Sequence, residues 1–224
     1  NLSREDLDKF ALESHQKAGH ATESKYFDRE ILPVEGRNAE GMNDLVMADE
    51  GIRFDASLDK LAGLNPVTEG GVITAGNASQ ITDGAAAVMV CNDAGLKKIQ
   101  ANPRAEIVSI SVVGDDPVFM LTGPIPASIQ ALKTANLTID DMDLYEVNEA
   151  FAPVPLAWAE DLKADRSKLN VNGGAMALGH PLGATGAKLM TTLLHEMERR
   201  ESTYGLQAIC EGGGTANATI IKRI

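Results

Sequence analysis

The sequence predicts an α/β fold in which helices cover a layered sheet. A continuous apolar run at 85–90 and a short, mostly apolar run at 206–209 have the length of buried strands rather than of helices. Strands of this kind alternate with segments of helical periodicity along the chain, the pattern of an α-β-α layered sheet. Hydrophobic residues make up 44% of the 224 residues but aromatics only 4%, with Gly and Ala abundant, which suits closely packed helices and sheets.

Residues 2–7 open like a helix N-terminus, with Ser3 as N-cap and Asp6 closing a capping box. Leu7, Phe10, Ala11, Ser14 and Ala18 continue one face, so the helix is expected to run to about Thr22. His15 and His20 lie on or near it and read as surface or half-buried side chains. Residues 27–34 read as a strand, 36–50 as a polar loop, and 53–64 as a short helical segment ending before Pro66. Residues 70–79 read as a strand entering a turn. The run 85–90 reads as a buried central strand, which makes Cys91 at its end a small core residue. A helix follows over 92–100, a strand over 105–113, and a helix from the proline-containing turn at 123–126 to Ala135. Residues 143–147 form a strand, then a helix runs to Leu162. The segment 169–172, a glycine-rich loop, a helix over 184–200 and strands at 207–210 and 218–223 complete the order. No internal repeat is present.

Net charge is −12 and the sequence pI about 4.7, which argues against a nucleic-acid or anionic-membrane surface, since both need a basic face. Two cysteines, Cys91 and Cys210, make no disulfide framework, and no metal-ligand spacing accompanies them. A reducing cytoplasm is the expected location. No apolar run approaches the ~18 residues of a membrane span, and no signal peptide opens the chain.

Two stretches carry chemistry. Residues 170–186 hold His180 and five glycines, Gly173, Gly174, Gly179, Gly183 and Gly186. Glycines at this density serve turns, left-handed backbone and close approach of main chain to a ligand. Pro181 stiffens the loop at His180, just ahead of a helix N-terminus. A phosphate-binding P-loop is excluded, because His180 and Pro181 stand where that motif needs Lys and Ser or Thr. At a strand end, Cys210 is followed by Glu211 and three glycines whose amides are free to favour a thiolate or bind an oxyanion. Taken alone, Asn148 also fits a cap of the following helix, and Glu149 an exposed acid in its first turn.

The motif NVNGGAMALGHPLGATGA from Asn170, with CEGGG at 210–214, NEAFA at 148–152 and TAGNAS at 74–79, closely resembles the thiolases, the acetyl-CoA acetyltransferases and 3-ketoacyl-CoA thiolases. The resemblance spans essentially the whole chain but implies only the loop region and C-terminal part of a thiolase. It implies a loop domain covering coenzyme A at 1–78, a last strand and helix of the N-terminal domain at 79–100, and the C-terminal domain at 101–224. The implied reaction is thiolysis of a 3-ketoacyl-CoA or the reverse Claisen condensation, with the acylated cysteine in a segment that would precede Asn1. In that scheme Cys210 is the base and acid, His180 activates the nucleophile, Asn148 holds a water of one oxyanion hole, and the Gly212 amide serves the other. Phe151 would line the acyl pocket, and Ser79, Arg53 and Lys60 would meet coenzyme A. The implied partners are an acyl-CoA, the missing N-terminal segment and further copies in a homo-dimer or homo-tetramer. Coenzyme A enters as substrate or product, with no permanent cofactor and no metal. Glu211 and the run Thr215-Ala-Asn217 depart from the usual pattern and bear on acyl-chain specificity. The alternative is a thiolase-like acyl-CoA- or lipid-binding protein without catalysis. A ketoacyl synthase is disfavoured, since it would carry a histidine where Cys210 stands.

Overall fold

Helix α1 (Arg4–Glu23) begins where local chemistry dictates, because both halves of the capping box close: Ser3 Oγ accepts from Asp6 N and Asp6 Oδ2 takes the Ser3 amide at 2.8 Å. The computed structural model describes residues 2–37 and 40–224. Leu7, Phe10, Ala11, Ser14 and Ala18 are all buried, as the periodicity predicts. His15 is buried, its Nδ1 accepting from the Arg53 amide at 3.1 Å, while His20 is exposed.

The next stretch departs from expectation. Residues 24–30 form turns rather than a strand, with the Ile31 amide bonding back to the Phe27 carbonyl at 3.0 Å. The turn folds Phe27 onto Ala18, Ala21, Ile52 and Leu178 in a small core, and that burial outweighs strand propensity. The stretch read as a polar loop instead contains an antiparallel pair, β1 (Val34–Arg37) with β2 (Asn43–Val46). Residues 38 and 39 of that expected loop lie outside the described residues. Helix α2 (Leu58–Ala62) is shorter than the 53–64 segment, because Ser57 caps it at Lys60 N and Gly63 ends it. Residues 70–79 form no named strand. Asn77 organises them instead, its Oδ1 accepting from Thr74 N and its Nδ2 donating to Asp8, both at 2.9 Å.

Residues 85–90 are not a strand either, and they are exposed, Met89 at 75%. Cys91 is exposed, which corrects its reading as a core residue. A strand persists only beside a hydrogen-bonding neighbour, and none of the described strands runs alongside this one. Helix α3 (Asp93–Ile99) forms from the Asn92 cap but buries none of its residues.

The remaining elements build the layered part: β3 (Ala105–Gly114), α4 (Pro124–Ala135), β4 (Leu144–Val147), α5 (Pro153–Leu162), α6 (Ala175–Leu178), α7 (Thr185–Arg199), β5 (Tyr204–Cys210) and β6 (Thr215–Arg223). The sheet order is β3-β6-β5-β4, with β4 and β5 parallel and the other pairs antiparallel. Alternation along the strands gives each face its own core. Tyr145, Val147, Leu206, Ala208, Ala218 and Ile220 pack with Ala127, Ala131 and Trp158 of α4 and α5. On the other face Leu144 and Ile221 meet Leu193 and Met197 of α7. Gly205 allows α7 close to β5, since a Cβ there would lie 2.6 Å from Met197 Sδ. This is the α-β-α layering the sequence predicts. Among the described residues no helix is long and apolar enough to cross a membrane.

Candidate functional site

The parallel pair β4–β5 brings two of the expected residues to one edge. Val147 is in register with Ala208, and the Asn148 amide continues the ladder to the Ala208 carbonyl at 3.0 Å. Asn148 and Cys210 therefore leave the carboxyl ends of neighbouring parallel strands, where open α/β sheets form their ligand sites. Asn148 does not cap α5, whose N-cap is Ala152 without a side-chain bond. Glu149 is not an exposed first-turn acid but buried, at 1%.

His180 reaches the same edge from the glycine-rich loop. Its amide donates to the Gln80 carbonyl at 3.0 Å, and Gln80 Nε2 in turn holds the Gly51 and Met176 carbonyls at 2.7 Å each. Three of the loop glycines, Gly173, Gly174 and Gly179, allow close packing within the protein, whereas Gly183 faces open space. A Cβ at Gly174 would overlap the Glu149 carboxylate, one at Gly179 would overlap the Thr82 side chain, and one at Gly173 would lie 2.5 Å from the Ser14 carbonyl. Gly173 and Gly179 also have φ of +78° and +81°.

Hydrogen-bond direction fixes the His180 tautomer. The Thr185 hydroxyl donates to the Pro181 carbonyl at 3.0 Å, which uses its one hydrogen. Toward His180 Nδ1, 2.6 Å away, it accepts, so the ring proton is on Nδ1 and Nε2 carries a lone pair. Asn148 Nδ2 lies 3.3 Å from that Nε2 and donates to it. The other end of the amide, Asn148 Oδ1, is buried without a protein partner. Burial lowers the pKa of the His180 ring and keeps it neutral.

Cys210 ends β5 in an apolar cluster with Ala150 and Val154, against which Leu121 and Phe151 pack half-exposed. Desolvation there pushes the thiol up to about 11, and the Glu211 charge adds to it. Burial outweighs the lowering effect of the backbone hydrogen bond at the thiol. No hydrogen bond among the described residues joins His180 to Cys210. Beyond Cys210 the glycines make the tight link into β6, with the Glu211 amide donating to the Thr215 carbonyl at 2.9 Å. Gly213 and Gly214 have φ of +75° and +83°. Gly212 is exposed, with open space where a Cβ would stand. Ser79 is half-buried beside Phe151: its amide donates to the Ala150 carbonyl at 2.9 Å, and Ala78 bridges Phe151.

Arg53 and Lys60 stand apart from this edge. Both are exposed, and Lys60 is ion-paired to Asp55, which draws its charge away from a ligand. An open groove of about 430 Å³ lies between residues 82–86 and 181–184, beside the loop, and its lining includes none of Asn148, His180 and Cys210. Among the described residues no group of three or more His, Cys, Asp or Glu side chains could hold a metal ion.

Sequence reasoning missed Thr185, Gln80 and the role of Ser14. Ser14 had a readable signal, a hydroxyl in an otherwise apolar helix stripe. Gln80 acts through backbone partners distant in the chain, while Thr185, five residues from His180, is brought to Nδ1 by the turn at Pro181.

Residues 101–223 match the family model described as thiolase, C-terminal domain, and residues 1–94 that of thiolase, N-terminal domain. The second match corrects the expectation of a resemblance confined to the loop region and C-terminal part. The chain is 54% identical over 224 residues to a protein of Mycobacterium tuberculosis named steroid 3-ketoacyl-CoA thiolase FadA6, covering all of this chain and 54% of that one. It is 46% identical over 229 residues to a 3-ketoacyl-CoA thiolase of Photorhabdus laumondii, covering all of this chain and 59% of that one. The chain thus spans little more than half the length of these curated relatives. Among solved structures it superposes on an acetyl-CoA acetyltransferase of Bacillus anthracis with a TM-score of 0.95 at 41% identity, covering all of this chain and 57% of that one. Human mitochondrial 3-ketoacyl-CoA thiolase gives 0.92, again at 41% identity, with 56% of that chain covered.

Proposed function

The chain belongs to the thiolase family, and from that premise we propose that it carries the proton-transfer and oxyanion residues of an acyl-CoA acyltransferase. The reaction is thiolysis of a 3-ketoacyl-CoA, or the Claisen condensation that reverses it. The observation that carries this reading is the placing of His180 between Thr185 at Nδ1 and Asn148 at Nε2.

In thiolysis, a nucleophilic thiol takes the place of Asn148 Nδ2 at the His180 Nε2 lone pair and gives its proton there, and its sulfur then attacks the C3 carbonyl. The C2–C3 bond breaks toward C2, and the Cys210 thiol protonates the resulting enolate carbon of acetyl-CoA. A thiol kept protonated by burial suits this donor role. Coenzyme A thiol then gives its proton to the Cys210 thiolate and displaces the acyl group from the nucleophile, whose sulfur recovers its proton from His180. Asn148 Oδ1, an unpartnered buried acceptor, is suited to hold a water that donates its second hydrogen to the thioester oxyanion. The Gly212 amide serves the second oxyanion. Neither Cys91 nor Cys210 takes the acyl group in this reading, so the nucleophile comes from outside these 224 residues.

Phe151, with Leu121, forms an apolar wall beside Cys210 for the acyl group. A 3-ketoacyl-CoA with a steroid-derived acyl chain is the first substrate to test, given the name of the M. tuberculosis relative. Ser79, half-buried next to the residues around Cys210, is the proposed coenzyme A contact. Arg53, free of the ion pair that holds Lys60, is the stronger candidate for its phosphates. Boundaries near residues 78 and 100, a cytoplasmic location and a homo-dimer or homo-tetramer complete the reading.

The high pKa of Cys210 favours one second reading, an acyl-CoA- or lipid-binding protein without catalysis. Deuterium exchange at the acetyl-CoA methyl decides between them, measured with the segment that supplies the nucleophile. Exchange in the wild type that collapses in Cys210→Ala supports the acyltransferase. Exchange that persists in Cys210→Ala removes Cys210 as the proton carrier, and none in the wild type favours the binding protein.

A further inference from the structure

We infer that Glu149 is a positioning residue, whose buried carboxylate fixes Asn148 and the start of the His180 loop relative to one another and so sets the Asn148–His180 contact. The inference rests on the reading of that pair as catalytic only for its consequence, since the geometry stands by itself.

Three donors from three segments converge on this one carboxylate. Ser14 of α1 donates to Oε2 at 2.7 Å, Asn170 Nδ2 to Oε1 at 2.9 Å, and the Met176 amide in the loop to Oε2 at 3.2 Å. The Ser14 hydrogen is committed to Glu149, because the Ser14 oxygen itself receives the Gly174 amide at 3.1 Å. Ser14, Asn170 and the Met176 amide each turn a hydrogen toward the carboxylate, which serves as acceptor only. Burial pushes its pKa up, and these donors oppose that shift. The loop is shaped to admit the group, since any side chain at Gly174 would overlap it.

Asn170 extends the clamp to the other neighbour of Asn148. Its Oδ1 takes the Val147 amide and its Nδ2 gives to the Val147 carbonyl, both at 2.9 Å. Asn148 thus sits between two residues that are each tied to the loop, one by its backbone and one by its carboxylate. Its side chain is left at 3.3 Å from His180 with its own oxygen unpartnered. An acceptor-only group is required here: an amide at 149 would turn a donor toward Asn170 Nδ2, or toward Ser14 and Met176.

The test is Glu149→Gln in the 224-residue chain, read by amide hydrogen exchange and by the ¹⁵N resonance of His180 Nε2. The amides of Gly174 and Met176 are expected to exchange about ten-fold faster or more, the cost of one buried hydrogen bond lost. The Nε2 resonance is expected to move toward that of an imidazole nitrogen without a donor, while amides of α7 and β5 keep their protection. Ser14→Ala, which removes one donor and keeps the charge, gives a smaller change of the same pattern. An unmoved Nε2 resonance in Glu149→Gln, or a uniform acceleration that includes α7 and β5, overturns the inference. Proton exchange into acetyl-CoA by the wild type with its completing segment is scored separately. Its absence would count against the acyltransferase reading and leave the result on Glu149 standing.

Discussion

Cys210 holds its proton at neutral pH because hydrocarbon from distant positions closes over it. Ala150, Val154, Leu121 and Phe151 surround a thiol that its glycine neighbours leave open in sequence. The folded pKa of about 11 lies above the ordinary value of 9.0, so the native state binds this proton more tightly than the unfolded chain. That contribution to stability is complete below pH 9 and is lost as pH rises through 11. Glu211→Gln removes a like charge beside the thiolate and is expected to move its appearance to lower pH. Thiolate absorbance near 240 nm in a Cys91→Ser background follows it, and an unchanged midpoint would remove Glu211 as a cause. The grouping was legible in part, since Asn148 touches His180 and stands on the strand edge beside the one that Cys210 ends. Their protonation states were not: the Thr185 and Pro181 contacts of His180 lie within five residues but depend on how the loop turns, and the cluster around Cys210 closes across the fold.

Elements with local start signals were legible for a physical reason. Ser3 and Asn92 use side chains to satisfy amides three residues on, and prolines begin α4 and α5, so those helices carry their own termini. Strands carry no such signal, since pairing is decided by what lies alongside. That is why 27–34 turned into a bend packed on α1 and why 85–90 formed no strand, while β3, β4, β5 and β6 found each other. Helix α6, four residues flanked by glycines, is too short for a periodic signal. The α7–β5 contact shows what sets layer spacing. Gly205→Ala would place a methyl 2.6 Å from Met197 Sδ and about 3 Å from Leu193, so α7 must shift or Met197 leave its rotamer. A destabilisation of about 1–3 kcal/mol is expected from this overpacking, read as a lower urea midpoint at unchanged slope. A variant as stable as the wild type would show that α7 rides loosely on the sheet.

At the scale of the whole molecule, large apolar side chains stand exposed along much of the chain, Leu32, Phe54, Val67 and Ile81 among them. Val88, Met89 and Val90 are exposed, as are Ile110 and Val112 on the edge strand β3 and Phe119 just beyond it. Solvated apolar patches and open strand edges favour association, whereas a net charge of −12 opposes it. Burial scales with area while repulsion is screened, so self-association is expected to grow with salt. Light scattering across a concentration series in low and high salt checks this. Ile110→Lys with Val112→Lys is expected to shift the chain toward monomer. A wild-type monomer at every concentration and salt would show that this surface does not drive assembly.

The packing around Trp158 has an optical consequence. It is the chain's single tryptophan, fully buried, with its indole N–H given to Ser128 Oγ at 2.8 Å and its ring edge-on to Tyr145 at 5.2 Å. An indole shielded from water emits at shorter wavelength than a hydrated one, and Tyr145 is near enough to pass its excitation on. Emission therefore watches the α4–α5 side of the sheet. Residues 24–99 contribute no tryptophan, so their melting is dark to it. A single smooth fluorescence transition reports one layer, and only agreement with far-ultraviolet circular dichroism would extend it to the rest.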